Sequence, residues 1–115
     1  IGIKAVLHGL RDRIPLEEAA QLGAQFSVML AGFYYQGWKP AATPTKERSV
    51  SAFVEKIRDN LPQGDYPVEI EVLITGVFAV LAQWVTEGEI VDVANMLPKD
   101  IQKFWPQPVV AQLNQ

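Results

Sequence analysis

Cysteine is absent from this 115-residue chain, histidine occurs once, and neither basic charge nor unbroken apolar sequence is in excess. Without cysteine there is no disulfide framework, no thiolate nucleophile and no cysteine-based zinc site, a composition that suits a cytoplasmic protein. The single histidine, His8, lies beside Gly9 on the polar side of the first expected helix and reads as a surface residue rather than a catalytic one. No His-x-x-x-His, Glu-x-x-His or carboxylate–histidine cluster occurs, so no metal site is expected. The formal charge of −3, from 10 Lys and Arg against 13 Asp and Glu, argues against nucleic acid as a partner, because phosphate binding needs clustered bases. The nearest approach to such a stripe, Lys46, Arg48, Lys56 and Arg58, is diluted by Glu47, Glu55 and Asp59 and reads as a solvated helix face. Thr75, Gly76 and Gln83 interrupt the apolar run Val72–Val85, which is shorter than the roughly 20 residues a membrane span requires. Phosphate-binding loops, nucleophile elbows and dinucleotide glycine patterns are also missing, so no cofactor and no enzymatic activity are expected.

What is present is a soluble globular composition, 49% apolar and 20% charged, of a size that makes one domain spanning residues 1–115. The strongest internal signal is a pattern written twice, over residues 3–34 and 74–105. Ile3, Val6, Leu10, Glu18 and Phe33 recur unchanged as Ile74, Val77, Leu81, Glu89 and Phe104. Leu7/Phe78, Ile14/Val85, Leu22/Val93, Phe26/Leu97, Leu30/Ile101 and Tyr34/Trp105 keep apolar character in the same register. So long a period excludes a solenoid repeat and predicts an all-α fold of two duplicated helical half-domains packed as one bundle.

Helical periodicity runs throughout, with no clean alternation of period two. Ile3, Val6, Leu7, Leu10 and Ile14 mark one face that ends at Pro15; a second helix follows with Glu17 and Glu18 in its first turn. A third segment, about Ser27–Gln36, stops at Gly37, and residues 37–48 form a Pro- and Gly-containing linker between the halves. Ser49 caps a helix carrying Phe53, Val54, Ile57 and Leu61, and Pro62, Gly64 and Asp65 make a turn. Pro67 opens a long apolar helix to about Val85, expected at the buried centre, where Gly76 permits close approach of a neighbour. Thr86 and Glu89 fit a capping box, in which each satisfies an orphan backbone donor of the other. Pro98 starts a last helix to Trp105, and Pro106 and Pro108 end regular structure. The first half has no counterpart of the Ser49–Leu61 helix, and the chain opens at Ile1 without methionine. A helix missing upstream is therefore expected to leave apolar surface on Ile3, Leu7 and Leu10.

The stretches Arg13-Ile-Pro-Leu-Glu-Glu-Ala-Ala-Gln-Leu22, Phe33-Tyr-Tyr-Gln-Gly-Trp38 and Gly88-Glu-Ile-Val-Asp-Val-Ala-Asn-Met-Leu-Pro-Lys-Asp100 resemble the bacterial domain-of-unknown-function family numbered 2267. The likeness extends from about Ile3 to Pro106, and the last stretch is its most specific part. The resemblance implies a duplicated all-helical domain in a small bacterial protein and brings no activity, cofactor or catalytic residue. Ser27 departs from the pattern, standing where the first half usually repeats the Leu97-Pro98 pair.

Two groups of residues are candidates for function. Glu18 and Glu89 repeat one another, with Glu87 and Asp92 nearby. They would either cap their own helices, the preferred reading, or face a cleft between the two halves as a pair of acids that binds a cation or small molecule or works as acid and base in an enzyme. Tyr35 and Trp38 end the aromatic run Phe33, Tyr34, Tyr35, Trp38; they would fold the linker onto the core or anchor a protein interface. Trp84 and Trp105 are expected in the core or between the halves. The resulting expectation is a non-enzymatic interaction or structural module that binds a protein or itself.

Overall fold

A computed structural model describes residues 2–61 and 69–114, and every regular element among them is helical. Helix α1, Gly2–Arg11, buries Ala5, Val6, Leu7 and Leu10 along one face, and the turn after it buries Ile14. Pro15 cannot continue the backbone ladder; it stands as the N-cap of α2, Leu16–Gly23. Ser27 begins α3, Val28–Tyr35, where its Oγ accepts from the Leu30 N–H at 3.2 Å. A serine cap thus makes the break that a Leu-Pro pair makes in the second half. Gly37 turns the chain at φ +71, a left-handed value that favours glycine. A short 3₁₀ turn, Pro40–Ala42, lies in the connection to α4, Val50–Asp59. Ser49 Oγ caps α4 by accepting from the Ala52 N–H, and Lys56 and Arg58 complement the negative end of its dipole.

The longest element, α5, spans Ile70–Trp84 and gives way to extended backbone at Val85. Helix α6, Glu87–Met96, follows the Thr86 cap, and α7, Lys99–Gln102, follows Pro98. A final turn, α8, covers Gln107–Val110. The first helix is the hub: α1 packs against α3, α4 and α5, while α2 lies on α3 and α6, and α6 also meets α5 and α8. Aromatic contacts close the centre. Phe78 stacks on Trp105 at 4.1 Å between centroids, and Phe53 and Phe104 each stand 6.4 Å from Phe78.

The structure corrects several expectations. Leu7 and Leu10 are fully buried and Ile3 is half-buried, because α3, α4 and α5 surround α1. The most exposed large apolar residues lie instead on α3, where Val28 is 93% and Met29 73% exposed, and on α5, where Val72 is 58% and Trp84 60% exposed. Helix α5 is therefore buried along one face only, and Trp84 is a surface residue while Trp105 is core. Among the described residues no neighbour stands within 4 Å of where a Cβ on Gly76 would lie, so that glycine serves no close approach to any of them. Pro106 and Pro108 do not end regular structure: they occupy the cap and first turn of α8, positions where a missing N–H costs nothing, and Val109 and Leu113 are buried. The turn at Pro62, Gly64 and Asp65 and the start at Pro67 lie outside the described residues.

Candidate functional site

Glu18 and Glu89 each occupy the third position of a helix, in α2 and α6. In a capping box a glutamate there reaches back to the backbone N–H of the N-cap residue. Neither does so. The N-cap of α2 is Pro15, which has no N–H to offer. At α6 half of the box forms: Thr86 Oγ1 accepts from the Glu89 N–H at 3.4 Å. The reciprocal half belongs to Gln25, whose Oε1 accepts from the Thr86 N–H at 2.9 Å and whose Nε2 donates to Thr86 Oγ1 at 3.1 Å. A glutamine from the end of α2 thus takes the donor that the expected box assigned to Glu89.

Freed from capping, the two carboxylates meet where α2 packs against α6. One oxygen each from Glu18, Glu89 and Asp92 lies within 4.8 Å of the others. Asp92 joins because it follows Glu89 by three residues and so shares its helix face. Glu18 and Glu89 are each 8% exposed, whereas Asp92 opens to solvent. The Oε2 atoms of Glu18 and Glu89 are buried without a hydrogen-bond donor, and among the described residues no Lys, Arg or His pairs with any of the three acids. Two unit charges about 4 Å apart near a protein surface repel by about 4 kcal/mol. Burial, and then the neighbouring Glu18 and Asp92 carboxylates, push Glu89 up to about 8 from 4.5. Near neutrality Glu89 therefore holds a proton, which it can donate to Glu18. Above that range the site is left with an uncompensated negative charge that a cation can take up.

Tyr35 and Trp38 lie elsewhere and are half-buried against the core. Tyr35 crosses over Gly23, where a Cβ would collide with its hydroxyl, and its ring stands 5.3 Å from that of Trp38. Beside them, Tyr34 is fully buried and donates from its hydroxyl to the Ala19 carbonyl at 2.7 Å. His8 is half-buried at the surface, and its Nε2–H donates to the Phe33 carbonyl at 2.6 Å. Desolvation is the main cause that lowers its pKa, with Arg11 and Lys4 acting in the same direction.

Sequence reasoning passed over Gln25 and the buried arginines. Arg11 donates to the carbonyls of Tyr34 and Gln36 at 2.8 and 3.0 Å and to Asp12 at 2.8 Å, which ties the end of α1 to the end of α3. Arg13 stacks over Phe53 at 5.1 Å. Its position beside a buried ring could not be read from a sequence in which it stands in an Arg-Asp-Arg stretch. One concavity, about 1000 Å³, lies between α1, α4 and the chain around Gln36–Glu47, and a smaller one, about 270 Å³, lies between Val54 and Phe104. Neither is lined by the three acids.

The molecule is thus an all-helical domain with a carboxylate cluster at a helix–helix junction. The family model described as "Uncharacterized conserved protein (DUF2267)" matches residues 2–104, and the chain belongs to that family. No curated protein matches it. No helix among the described residues is long and apolar enough to cross a membrane.

Proposed function

We propose that this protein is a non-enzymatic helical module whose α2–α6 junction takes a small divalent cation. One observation carries the reading: Glu18, Glu89 and Asp92 converge from two helices, and two of their buried oxygens have no donor. An all-oxygen donor set suits a hard cation such as Ca²⁺ or Mn²⁺ rather than a thiolate- or imidazole-seeking metal. The lone histidine is engaged with the Phe33 carbonyl and not with a carboxylate of the cluster, which supports the non-enzymatic reading. A bacterial, cytoplasmic setting and an internal duplication belong to the same proposal. The duplication is supported by Glu18 and Glu89 occupying the same position of their helices at equal burial.

The test is calorimetric titration with Ca²⁺ and with Mn²⁺ at pH 6.5 and 8.5. One site per chain is expected, of order 10⁻⁴ to 10⁻³ M, as for weak carboxylate sites. Binding should be tighter at pH 8.5, where the cation no longer competes with the Glu89 proton. Glu18→Gln with Glu89→Gln should abolish it. Wild-type protein that takes neither ion, or a double variant that binds as well, refutes the proposal.

The interaction reading has a separate basis. Self-association through Tyr35 and Trp38 draws little support from side chains that are half-buried, whereas α5 offers an uncovered ridge.

A further inference from the structure

Arg13 is only 4% exposed, yet its guanidinium is satisfied on one side alone. Its Nη1 donates to the Gly9 carbonyl at 3.2 Å, and its Cζ lies 5.1 Å over the Phe53 ring. Its Nε is buried without an acceptor, and its Nη2 makes no hydrogen bond among the described residues. Nε and Nη2 form the side-on edge of a guanidinium, the edge that grips two oxygens of a carboxylate or phosphate in parallel. The ring below offers its π face to the charge but no acceptor to these N–H groups. Donors that have lost water and gained no partner are costly, so an empty fork on a buried arginine calls for an occupant.

No carboxylate of the described chain fills that role, for Arg13 makes no ion pair there. Burial is the main cause that lowers its pKa; Asp12 and Glu47 counter it, and Arg48 adds to it. Asp12 is already held by Arg11 Nε at 2.8 Å, and Arg48 is engaged with the carbonyls of Arg13 and Met96. Three guanidinium groups, of Arg11, Arg13 and Arg48, thus stand against two carboxylates, of Asp12 and Glu47. The local charge is positive in a chain whose formal charge is −3.

Arg13 lines the concavity of about 1000 Å³ between α1 and α4, and so do Ser49 and Ser51 at the start of α4. Ser49 precedes Phe53 by four residues, which places it one turn before the ring under Arg13 and on the same helix face. Ser49 Oγ accepts from the Ala52 N–H, whereas the Ser51 N–H has no acceptor among the described residues. The ten-residue α4 therefore brings its positive dipole end and a free donor to the concavity that Arg13 lines. Thr45, fixed by its N–H on the Asp12 carbonyl at 2.8 Å, adds a hydroxyl to the lining. The volume exceeds that of a bare ion and suits a small organic molecule.

We propose that this concavity binds a small organic oxyanion, its phosphate or carboxylate head shared between the Nε–Nη2 edge of Arg13 and the start of α4. The head supplies the acceptor that Arg13 lacks. The rest of the molecule lies along α1 toward His8 and the half-buried, unpaired Lys4. The site shares no residue with the Glu18, Glu89 and Asp92 cluster and is independent of the cation reading.

The probes are glycerol 3-phosphate and succinate, titrated separately into the intact protein at constant ionic strength while the Arg13 Nε–H resonance and the backbone amides are followed. Saturable binding is expected, with a downfield displacement of the Nε–H signal and shifts at Ser49–Ala52. Saturation by either probe supports the site, and the tighter of the two identifies the head as phosphate or carboxylate. Ser51→Asp favours the helix start, since an acid there complements the dipole, yet should weaken binding at least about fivefold by placing a carboxylate in the site. Glu47→Gln should strengthen it severalfold. Arg13→Lys keeps the charge and loses the fork, and should weaken binding at least about tenfold. If circular dichroism shows that this variant does not fold, the Ser51→Asp and Glu47→Gln results decide. Failure of both probes to saturate overturns the proposal, as does equal binding to Ser51→Asp. Shifts confined to the exposed Lys39 and Lys56, or reproduced by chloride at the same ionic strength, would reveal a general attraction to surface lysines and overturn it too.

Discussion

Replacing Glu89 by glutamine tests the carboxylate cluster through stability alone, without any ligand. In the unfolded chain a glutamate titrates near 4.5; in the folded protein Glu89 is pushed up to about 8 by burial and by its acidic neighbours. Between those values the folded state binds more protons than the unfolded state, so stability falls as pH rises across that window and levels off above it. Thermal melts of Glu89→Gln should have a flatter pH profile, and above pH 8 the variant should be the more stable by on the order of 1–3 kcal/mol. A wild-type profile that is flat from pH 5 to 8 would contradict this. The identity of the two acids was legible in the repeated register. One reason for their release from capping was also legible, since Pro15 has no N–H. The other was not, because Gln25 reaches Thr86 only after the chain has folded α2 onto α6.

At the scale of elements, Arg11 holds α3. Its guanidinium meets the carbonyls of Tyr34 and Gln36, groups that the end of a helix leaves without partners. Arg11→Met keeps the stem and removes the donors, and should cost about 2–4 kcal/mol. Amide exchange should accelerate in α3 more than in α5 or α6. Uniform acceleration would mean that the arginine supports the whole core instead. Helix boundaries set by caps and prolines were readable: Pro15, Ser49, Thr86 and Pro98 all begin elements. The misreading of α8 has a simple cause. A proline in a first turn and a proline that ends structure look alike until Val109 and Leu113 find their places in the core. Exposure on α3 was hidden for a related reason, since that helix is apolar on nearly every side and periodicity cannot say which side is covered.

For the whole molecule, the contrast between α1 and α5 is the main result. Gly9 lies under Phe53 and Ile57, which are themselves fully buried and have little room to yield. Gly9→Ala is therefore expected to destabilise the fold by about 1–3 kcal/mol, the usual cost of overpacking. Gly76→Ala meets open space and relieves a helix-interior glycine, so it should stabilise by about 0.5–1 kcal/mol. Chemical denaturation of the two variants should show opposite signs. Two effects of the same sign would mean that α5 is covered as α1 is. The all-helical architecture was readable from periodicity and repeat. The uncovered side of α5 was not, because α4 packs against both α1 and α5 and the side it leaves open is decided by packing across the bundle.

The junction of α2 and α6 has a bearing on how such a protein can change. Helix α2 brings one acid and α6 two to a place that neither forms alone, so positions 18 and 89 act on one another directly. Losing either carboxylate relieves the repulsion and removes the cluster in one step, and restoring it requires the surviving partner to have stayed. The effect of a substitution at position 18 should thereby depend on the residue at position 89, across more than half the length of the chain.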